Sequence, residues 1–502
     1  MDTLAGLIAT RSTEAPSAHY LEDARSERVI TFAALASRTA EWADVFDDRG
    51  LSAGATVVLD VRDPLSFAVA HLAVVASGRR SVPVNPQGTW SETLKSVDLG
   101  SSEAVITDRD EPGETDVVVL RPEASTGSPA EATGAQDRES RTPDTSSKTE
   151  TAPSGSVILF TSGSTGQPKG VELTEAQLLF VARAIAEHNA LTSADRGFNS
   201  LPLFHVNAEV VGLLSTLVAG ATLVLDDRFH RTGFWELLAE RRITWLNAVP
   251  AILAVLAKSG PAQAPEGLRF VRSASSALPE AVRTAFAHVP MIISYGMTEG
   301  ASQITATPLG VEPRPGSVGL PVGGEVEPRD AEGRALPVGE IGELWIRGPG
   351  VVKGYFQGRA AERFDADGWL RTGDLGHLDA DGWVYLAGRT DDVINRGGEK
   401  VYPAEVEDVL LEDARVREAV VVARPDDVLG FVPVAYVIPA DLSLPDDVRA
   451  SLSTDLGKRC EAELPRFKRP MEITVVDDLP RTPTGKVQRN KTRQMLAEAA
   501  GA

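Results

Sequence analysis

Hydrophobic positions along the first hundred residues switch between helical and strand spacing. Phe32-Ala-Ala-Leu-Ala36 opens a helical stretch, Thr56-Val-Val-Leu-Asp-Val61 reads as a strand, and residues 66–77 return to a helix. Apolar strands resume with Val157-Ile-Leu-Phe160 and continue through Arg269-Phe-Val271 and Met291-Ile-Ile293. Such alternation predicts α/β layers. Beyond about Pro308 the pattern becomes short strands separated by turns, as in Glu343-Leu-Trp-Ile346 and Trp383-Val-Tyr-Leu386, which predicts a β-rich subdomain. After Gly388 a compact α+β unit is expected: helices near 403–411 and 446–463, and strands at 419–422, 434–438 and 471–476.

The fold class this predicts is α/β and α+β multidomain. A large N-terminal domain carries α/β-layered sheets plus the β-rich subdomain, and a small α+β domain closes the chain. A shift to Pro, Ser, Thr, Glu and Gly over 123–156 leaves too little apolar surface to offset ordering entropy, so a mobile surface loop is expected there. The sequence Asp-Ala-Asp-Gly-Trp occurs twice, at 365–369 and 379–383, without the further ligands of a twelve-residue calcium loop, and reads as turn chemistry.

With 502 residues the chain exceeds one ordinary core, consistent with several domains. Lys plus Arg number 50 against 71 Asp plus Glu, a net charge of −21 that repels a phosphate backbone and argues against nucleic acid as partner. One cysteine, Cys460, rules out an internal disulfide or a thiolate metal cluster and points to the cytoplasm. The longest apolar run, 210–225, is broken by Ser215, Thr216 and Thr222, so it reads as core and no membrane span is expected.

The segment Phe160-Thr-Ser-Gly-Ser-Thr-Gly-Gln-Pro-Lys-Gly170 follows an apolar strand and can wrap a phosphate. Gly163 and Gly166 let backbone amides turn inward, Thr161, Ser162, Ser164 and Thr165 add hydroxyl donors, and Lys169 adds charge. A flexible Ser/Gly linker is the competing reading. The Walker spacing is absent, which disfavours a P-loop nucleotidase.

Together with Ser294-Tyr-Gly-Met-Thr-Glu-Gly300, Arg371-Thr-Gly-Asp374, the stretch 388–403 and Pro480-Arg-Thr-Pro-Thr-Gly-Lys486, this loop makes the chain resemble the adenylate-forming superfamily. Within it the similarity is to the acyl-CoA synthetase (AMP-binding enzyme) family, over nearly the whole length. The resemblance implies an N-terminal adenylation body at 1–387, a hinge at 388–391 about Asp391, and a mobile C-terminal cap at 392–502. It also implies ATP, Mg2+ and coenzyme A as reactants, with a small-molecule carboxylic acid as the partner.

Residue roles carry over from the same resemblance. Thr161, Ser162, Gly163, Ser164, Thr165, Gly166, Lys169, Ser275, Ser276, Tyr295, Thr298, Asp374, Arg389 and Lys486 would bind ATP or AMP. Thr161 and Glu299 would meet the metal ion. Lys486, His205, Thr298 and Glu299 would serve catalysis, and His205, Asn207, Ser273 and Gly296 would line the acyl site. Gly397, Gly398 and Lys400 would border the coenzyme A channel. The residue chemistry fits: Tyr295 offers an aromatic face, Asp374 offers acceptors to a diol, and the Lys486 ammonium can neutralise charge between carboxylate and phosphate. Taken alone, a Thr-Glu pair is a helix cap and two glycines are a turn. The function expected is an ATP-dependent, AMP-forming acid–CoA ligase. The alternative is an adenylate-forming enzyme with a non-CoA acceptor, an amine or a carrier-protein thiol, or one activating an unusual small oxyacid. The polar residues His205, Asn207, Glu209, Arg272, Ser273, Ser302 and Gln303 suggest a short or functionalised acid.

Overall fold

A computed structural model describes residues 3–110, 117–122, 154–162, 168–258, 263–358, 360–481, 487–489 and 491–493, with backbone only at 99–100, 161–162 and 168. Of the loop expected at 123–156, residues 123–153 lie outside the described residues, as do Gly163, Ser164, Thr165, Gly166 and Lys486.

Two sheets share one inner layer of helices. The six-stranded sheet runs Val118–Leu120, Ala104–Thr107, Thr56–Asp60, Arg80–Pro83, Ser156–Ser162, Pro168–Thr174, parallel until its final hairpin. The nine-stranded sheet has a parallel centre, Met291–Tyr295, Phe270–Ser273, Trp245–Ala248, Arg196–Asn199 and Thr222–Leu225. Side-chain alternation sorts the two faces: Val57 and Leu59 join the shared core with Trp245, Phe270 and Ile292, while Val58 and Val82, or Leu246 and Val271, face outer helices. Helix Pro64–Ala76 is buried on nearly every side, with Leu65 and residues 67–75 all covered, as its place between the sheets requires. Asp63 caps it by accepting from the Ser66 amide at 2.9 Å, and proline occupies its first turn.

The β-rich subdomain is a four-stranded antiparallel sheet of Glu325–Arg329, Gly342–Arg347, Leu370–Leu378 and Val384–Arg389. Both Asp-Ala-Asp-Gly-Trp copies are turns of one design. Asp365 Oδ1 accepts from the Asp367 and Trp369 amides at 2.9 and 2.8 Å, and Asp379 Oδ1 from the Asp381 and Trp383 amides, both at 2.9 Å. Calcium is not needed to explain either.

Sheet membership changes after Arg389. A single turn at Thr390–Asp392 leads into Ile394–Arg396, which belongs to a separate sheet with Glu399–Val401, Val416–Asp426, Gly430–Pro439 and Ile473–Val475. Helices Pro403–Leu411 and Asp446–Glu463 cover it, and Val406, Leu410, Val421, Val437, Leu452 and Leu456 form its own core. Gly388 and Arg389, expected within the hinge, still pair with Leu375 and Asp374, so the change of sheet falls a few residues later than 388.

Candidate active site

Strands β-paired at 374 and 389 set the first group of functional side chains side by side. Asp374 and Arg389 are register partners, and Arg389 Nη1 donates to Asp374 Oδ1 at 2.9 Å. Tyr295, at the end of a parallel strand, donates its hydroxyl to Asp374 Oδ2 at 2.6 Å. Burial pushes the Asp374 carboxyl above the ordinary aspartate range against the opposing pull of Arg389 and Tyr295. Burial, then the Asp374 charge, pushes the Tyr295 phenol up, so it stays a donor. The turn is held from behind. Thr372 Oγ1 accepts from the Asp374 amide at 3.0 Å, Glu343 Oε1 accepts from the Gly373 amide at 3.2 Å, and Gly373 takes φ +77.

Glu299 anchors the second group. Its Oε1 accepts from Tyr355 Oη at 2.6 Å and lies 3.4 Å from Arg363 Nη1. Arg363 also donates to the Tyr355 hydroxyl. Lys169 and Arg363 sit over the Tyr355 ring, 5.8 and 5.7 Å from its centre. Burial and the Glu299 charge push the Tyr355 phenol up. Glu299 Oε2 accepts no protein hydrogen bond among the described residues, and a free carboxylate oxygen is the donor a hard divalent cation takes. Thr298, beside it, is half-buried in the turn Thr298–Gly300. Tyr355 and Arg363 were not anticipated from sequence; Gly354-Tyr355 just before a turn was the available signal.

The third group is a row across the ends of parallel strands. Asn199, Asn247 and Arg272 are in register on three neighbouring strands, with Ser294 on the next. All face the inner helical layer. Asn247 Nδ2 donates to Asn199 Oδ1 at 3.1 Å and to Asn207 Oδ1 at 3.2 Å. Carboxyl ends of parallel strands are where α/β sheets bind ligands. Asn199 and Asn247 were not anticipated from sequence; the available signal is a polar residue at or one before a strand's end, as in Phe198-Asn199, Leu246-Asn247, Val271-Arg272 and Ile293-Ser294.

The remaining expected residues are more dispersed. Ser275, at φ +84, and Ser276 are exposed on the loop after Phe270–Ser273. His205 is half-buried, its ring 4.4 Å from that of Phe204, just before the π-helix Asn207–Leu214 that begins with Asn207. Strand alternation turns Ser273 to the face opposite Arg272, away from the polar row where it was expected. Glu209, also expected near the acid, points instead to His71 Nε2 at 3.0 Å in the core. Gly296 is exposed, and a Cβ there would stand 1.4 Å from the Ser302 carbonyl oxygen, which by itself demands glycine. Gly397 (φ +61) and Gly398 (φ +97) form the exposed turn of a hairpin whose second strand carries the exposed Lys400; Asn395 Oδ1 accepts from the Gly398 amide at 2.9 Å. Asp391 is exposed in the connecting turn. The backbone of Thr161 pairs with Lys169 and that of Ser162 with Pro168, as the last two pairs of an antiparallel ladder.

Three polar groups thus lie at strand ends and turns of the body: Asp374 with Tyr295 and Arg389, Glu299 with Tyr355 and Arg363, and the row from Asn199 to Ser294. The chain belongs to the AMP-binding enzyme family: that family's model matches residues 8–356, and the model of its C-terminal domain matches 405–486. It is 36% identical over 509 aligned positions to a sulfoacetate–CoA ligase of Cupriavidus necator, covering 98% of this chain and 97% of that one. An oxalate–CoA ligase of Arabidopsis thaliana is 31% identical, covering 99% of both chains. The o-succinylbenzoate coenzyme A synthetase of Bacillus subtilis, solved with ATP and a magnesium ion, superposes with a TM-score of 0.81 at 28% identity, covering 97% of this chain and 98% of that one. No helix among the described residues is long and apolar enough to cross a membrane.

Proposed function

We propose that this chain activates a short, polar carboxylic acid, with Asp374, Arg389, Tyr295, Lys169 and Glu299 holding Mg-ATP and the row from Asn199 to Ser294 facing the acid. The enzyme is an AMP-forming acid–CoA ligase that uses ATP, Mg2+ and coenzyme A. A carboxylate oxygen bonds to the α-phosphorus, the bond to the β-phosphate bridge breaks, and pyrophosphate leaves. The coenzyme A sulfur then bonds to the carbonyl carbon, AMP leaves, and the thiol proton passes to solvent. AMP is a far better leaving group than oxide, so the protein's task is positioning and charge stabilisation.

Asp374 offers acceptors to the ribose hydroxyls, and Tyr295 and Arg389 fix their direction. Glu299 Oε2, with Thr161, would hold Mg2+, which when bound polarises the phosphates and screens their charge. Lys169 and Arg363 place positive charge over Tyr355, next to that carboxylate. Lys486 neutralises the charge between acid and α-phosphate, and the cap swings about Asp391 so that Gly397, Gly398 and Lys400 meet coenzyme A. Relatives named for sulfoacetate and oxalate support a short acid. A cytoplasmic setting fits the single cysteine, Cys460, buried as a free thiol.

The observation that carries this reading is Asp374 gripped by Tyr295 and Arg389 from two separate segments. Its test is AMP release from ATP over short acids, with and without coenzyme A. Release that depends on acid and accelerates with the thiol is expected. Release unaffected by coenzyme A and stimulated by an amine would place the acceptor elsewhere.

A further inference from the structure

Arg272 is a buried charge without a counter-charge among the described residues. The side chain is 1% exposed, and all its hydrogen-bond partners are neutral: Gln303 Oε1 at 3.3 Å from Nε, Asn207 Oδ1 at 3.2 Å and Asn247 Oδ1 at 3.3 Å from Nη1, and Ser294 Oγ at 3.0 Å from Nη2. Among the described residues no carboxylate pairs with it. Buried guanidinium groups are ordinarily matched by an anion, because desolvation otherwise goes uncompensated. Here burial pulls the group down to about 9, with no charged neighbour opposing the shift.

Two further donors lie unused beside it. Five N–H bonds meet four acceptors, so one hydrogen on Nη2 has no partner among the described residues. The Gln303 amide nitrogen, on the side chain whose oxygen takes the Arg272 Nε hydrogen, is buried and also lacks a partner among them. Of the residues bonded to the guanidinium, only Asn207 is partly exposed, so the approach from solvent passes Asn207.

We propose that Arg272, with Gln303 Nε2 and Asn207, is the binding site for a second anionic group on the acid substrate, a carboxylate or a sulfonate at the end opposite the one being activated. An oxyanion there would accept the spare Nη2 and Gln303 hydrogens and take over from Asn207 on Nη1. The site also limits length. Ser294 bonds to Arg272 and is two residues from the exposed Gly296, a path on the order of 7 Å; with the activated carboxylate at Gly296, as the acyl-site expectation has it, the two acid groups would be only a few bonds apart. The inference rests on the acid-activating reading above.

Matched pairs that differ only in the remote charge test it: oxalate and oxamate, malonate and malonamate, succinate and succinamate, sulfoacetate and methylsulfonylacetate, each monitored by pyrophosphate release. In at least one pair the charged member is expected to win in kcat/KM by about 100-fold or more. Arg272→Met should shrink that ratio to a few-fold, mainly through the KM of the charged acid, and Arg272→Lys should restore part of it. ATP-induced thermal stabilisation unchanged in both variants shows that the fold and nucleotide site survive. Equal use of charged and uncharged members by the native enzyme, or undiminished discrimination in Arg272→Met, overturns the assignment. No pyrophosphate release with any acid, of either kind, removes the acid-activating reading and this one with it. The carboxylate and sulfonate pairs show which oxyanion is preferred.

Discussion

A side chain at position 296 would drive its Cβ into the Ser302 carbonyl oxygen, and the loop around it already carries strain: Ala301 and Ser302 sit at φ +51 and +91. Gly296→Ala is therefore expected to cost about 3 kcal/mol or more of stability, read as a lower unfolding midpoint that bound ATP only partly recovers. Asp374 makes a second residue-scale prediction. Because burial raises its carboxyl, protonation begins at higher pH than for an exposed aspartate, and the protonated group loses an acceptor for the ribose. The KM for ATP should rise as pH falls through the mildly acidic range, and Asp374→Asn should have a high KM without that slope. A flat profile in the native enzyme would mean that Asp374 does not touch the nucleotide. Tyr295→Phe removes only the 2.6 Å hydrogen bond to Asp374 and should raise the same KM several-fold.

At the scale of elements, Glu407 ties the C-terminal sheet to the segment around Arg489. Its oxygens bind Arg489 and the Val421 amide, the latter at 2.7 Å, and Arg493 Nη2 reaches Asp392 in the connecting turn at 2.8 Å. Glu407→Ala leaves half-buried Arg489 with only the longer contact to Asp392 Oδ2 at 3.5 Å and the Val421 carbonyl at 3.0 Å, a loss of about 2 kcal/mol. Hydrogen exchange should speed up across 394–475 and leave the body's sheets unchanged. The separation of period and capping made many elements legible beforehand. Helix Asp446–Glu463, helix Pro403–Leu411 and both Asp-Ala-Asp-Gly-Trp turns stand where spacing and turn chemistry put them. Less was legible where distant segments meet. Asn199, Asn247 and Arg272 form a row only through strand register, and Tyr355 and Arg363 reach Glu299 only through the folding of the β-rich sheet. The Asn207–Leu214 π-helix leaves no periodic trace in eight residues.

For the whole molecule, the change of sheet between Arg389 and Ile394 separates two bodies with separate cores, and the connecting turn is short and partly exposed. Two half-reactions that need different surfaces against one cleft suit that construction. Lys486→Ala should nearly abolish acid-dependent pyrophosphate exchange, yet pass a supplied acyl-adenylate to coenzyme A at close to the native rate. Gly398→Leu should do the reverse, slowing thioester formation more than exchange. A Cβ at 398 meets nothing within 4 Å, but φ +97 strains any side chain there, so retained pyrophosphate exchange in Gly398→Leu is the control that the cap still folds. Equal damage to both half-reactions in either variant would contradict the division of labour.

The two-step chemistry requires that the acid be activated as an adenylate before the thiol arrives. Rapid quenching of excess enzyme with ATP, Mg2+ and a preferred acid, without coenzyme A, tests this by identifying the nucleotide species. Pyrophosphate and an enzyme-bound acyl-adenylate are expected in near-stoichiometric amount, converted to thioester and AMP when coenzyme A is added. ADP and phosphate in place of AMP and pyrophosphate, or no adenylate before the thiol is added, would contradict it.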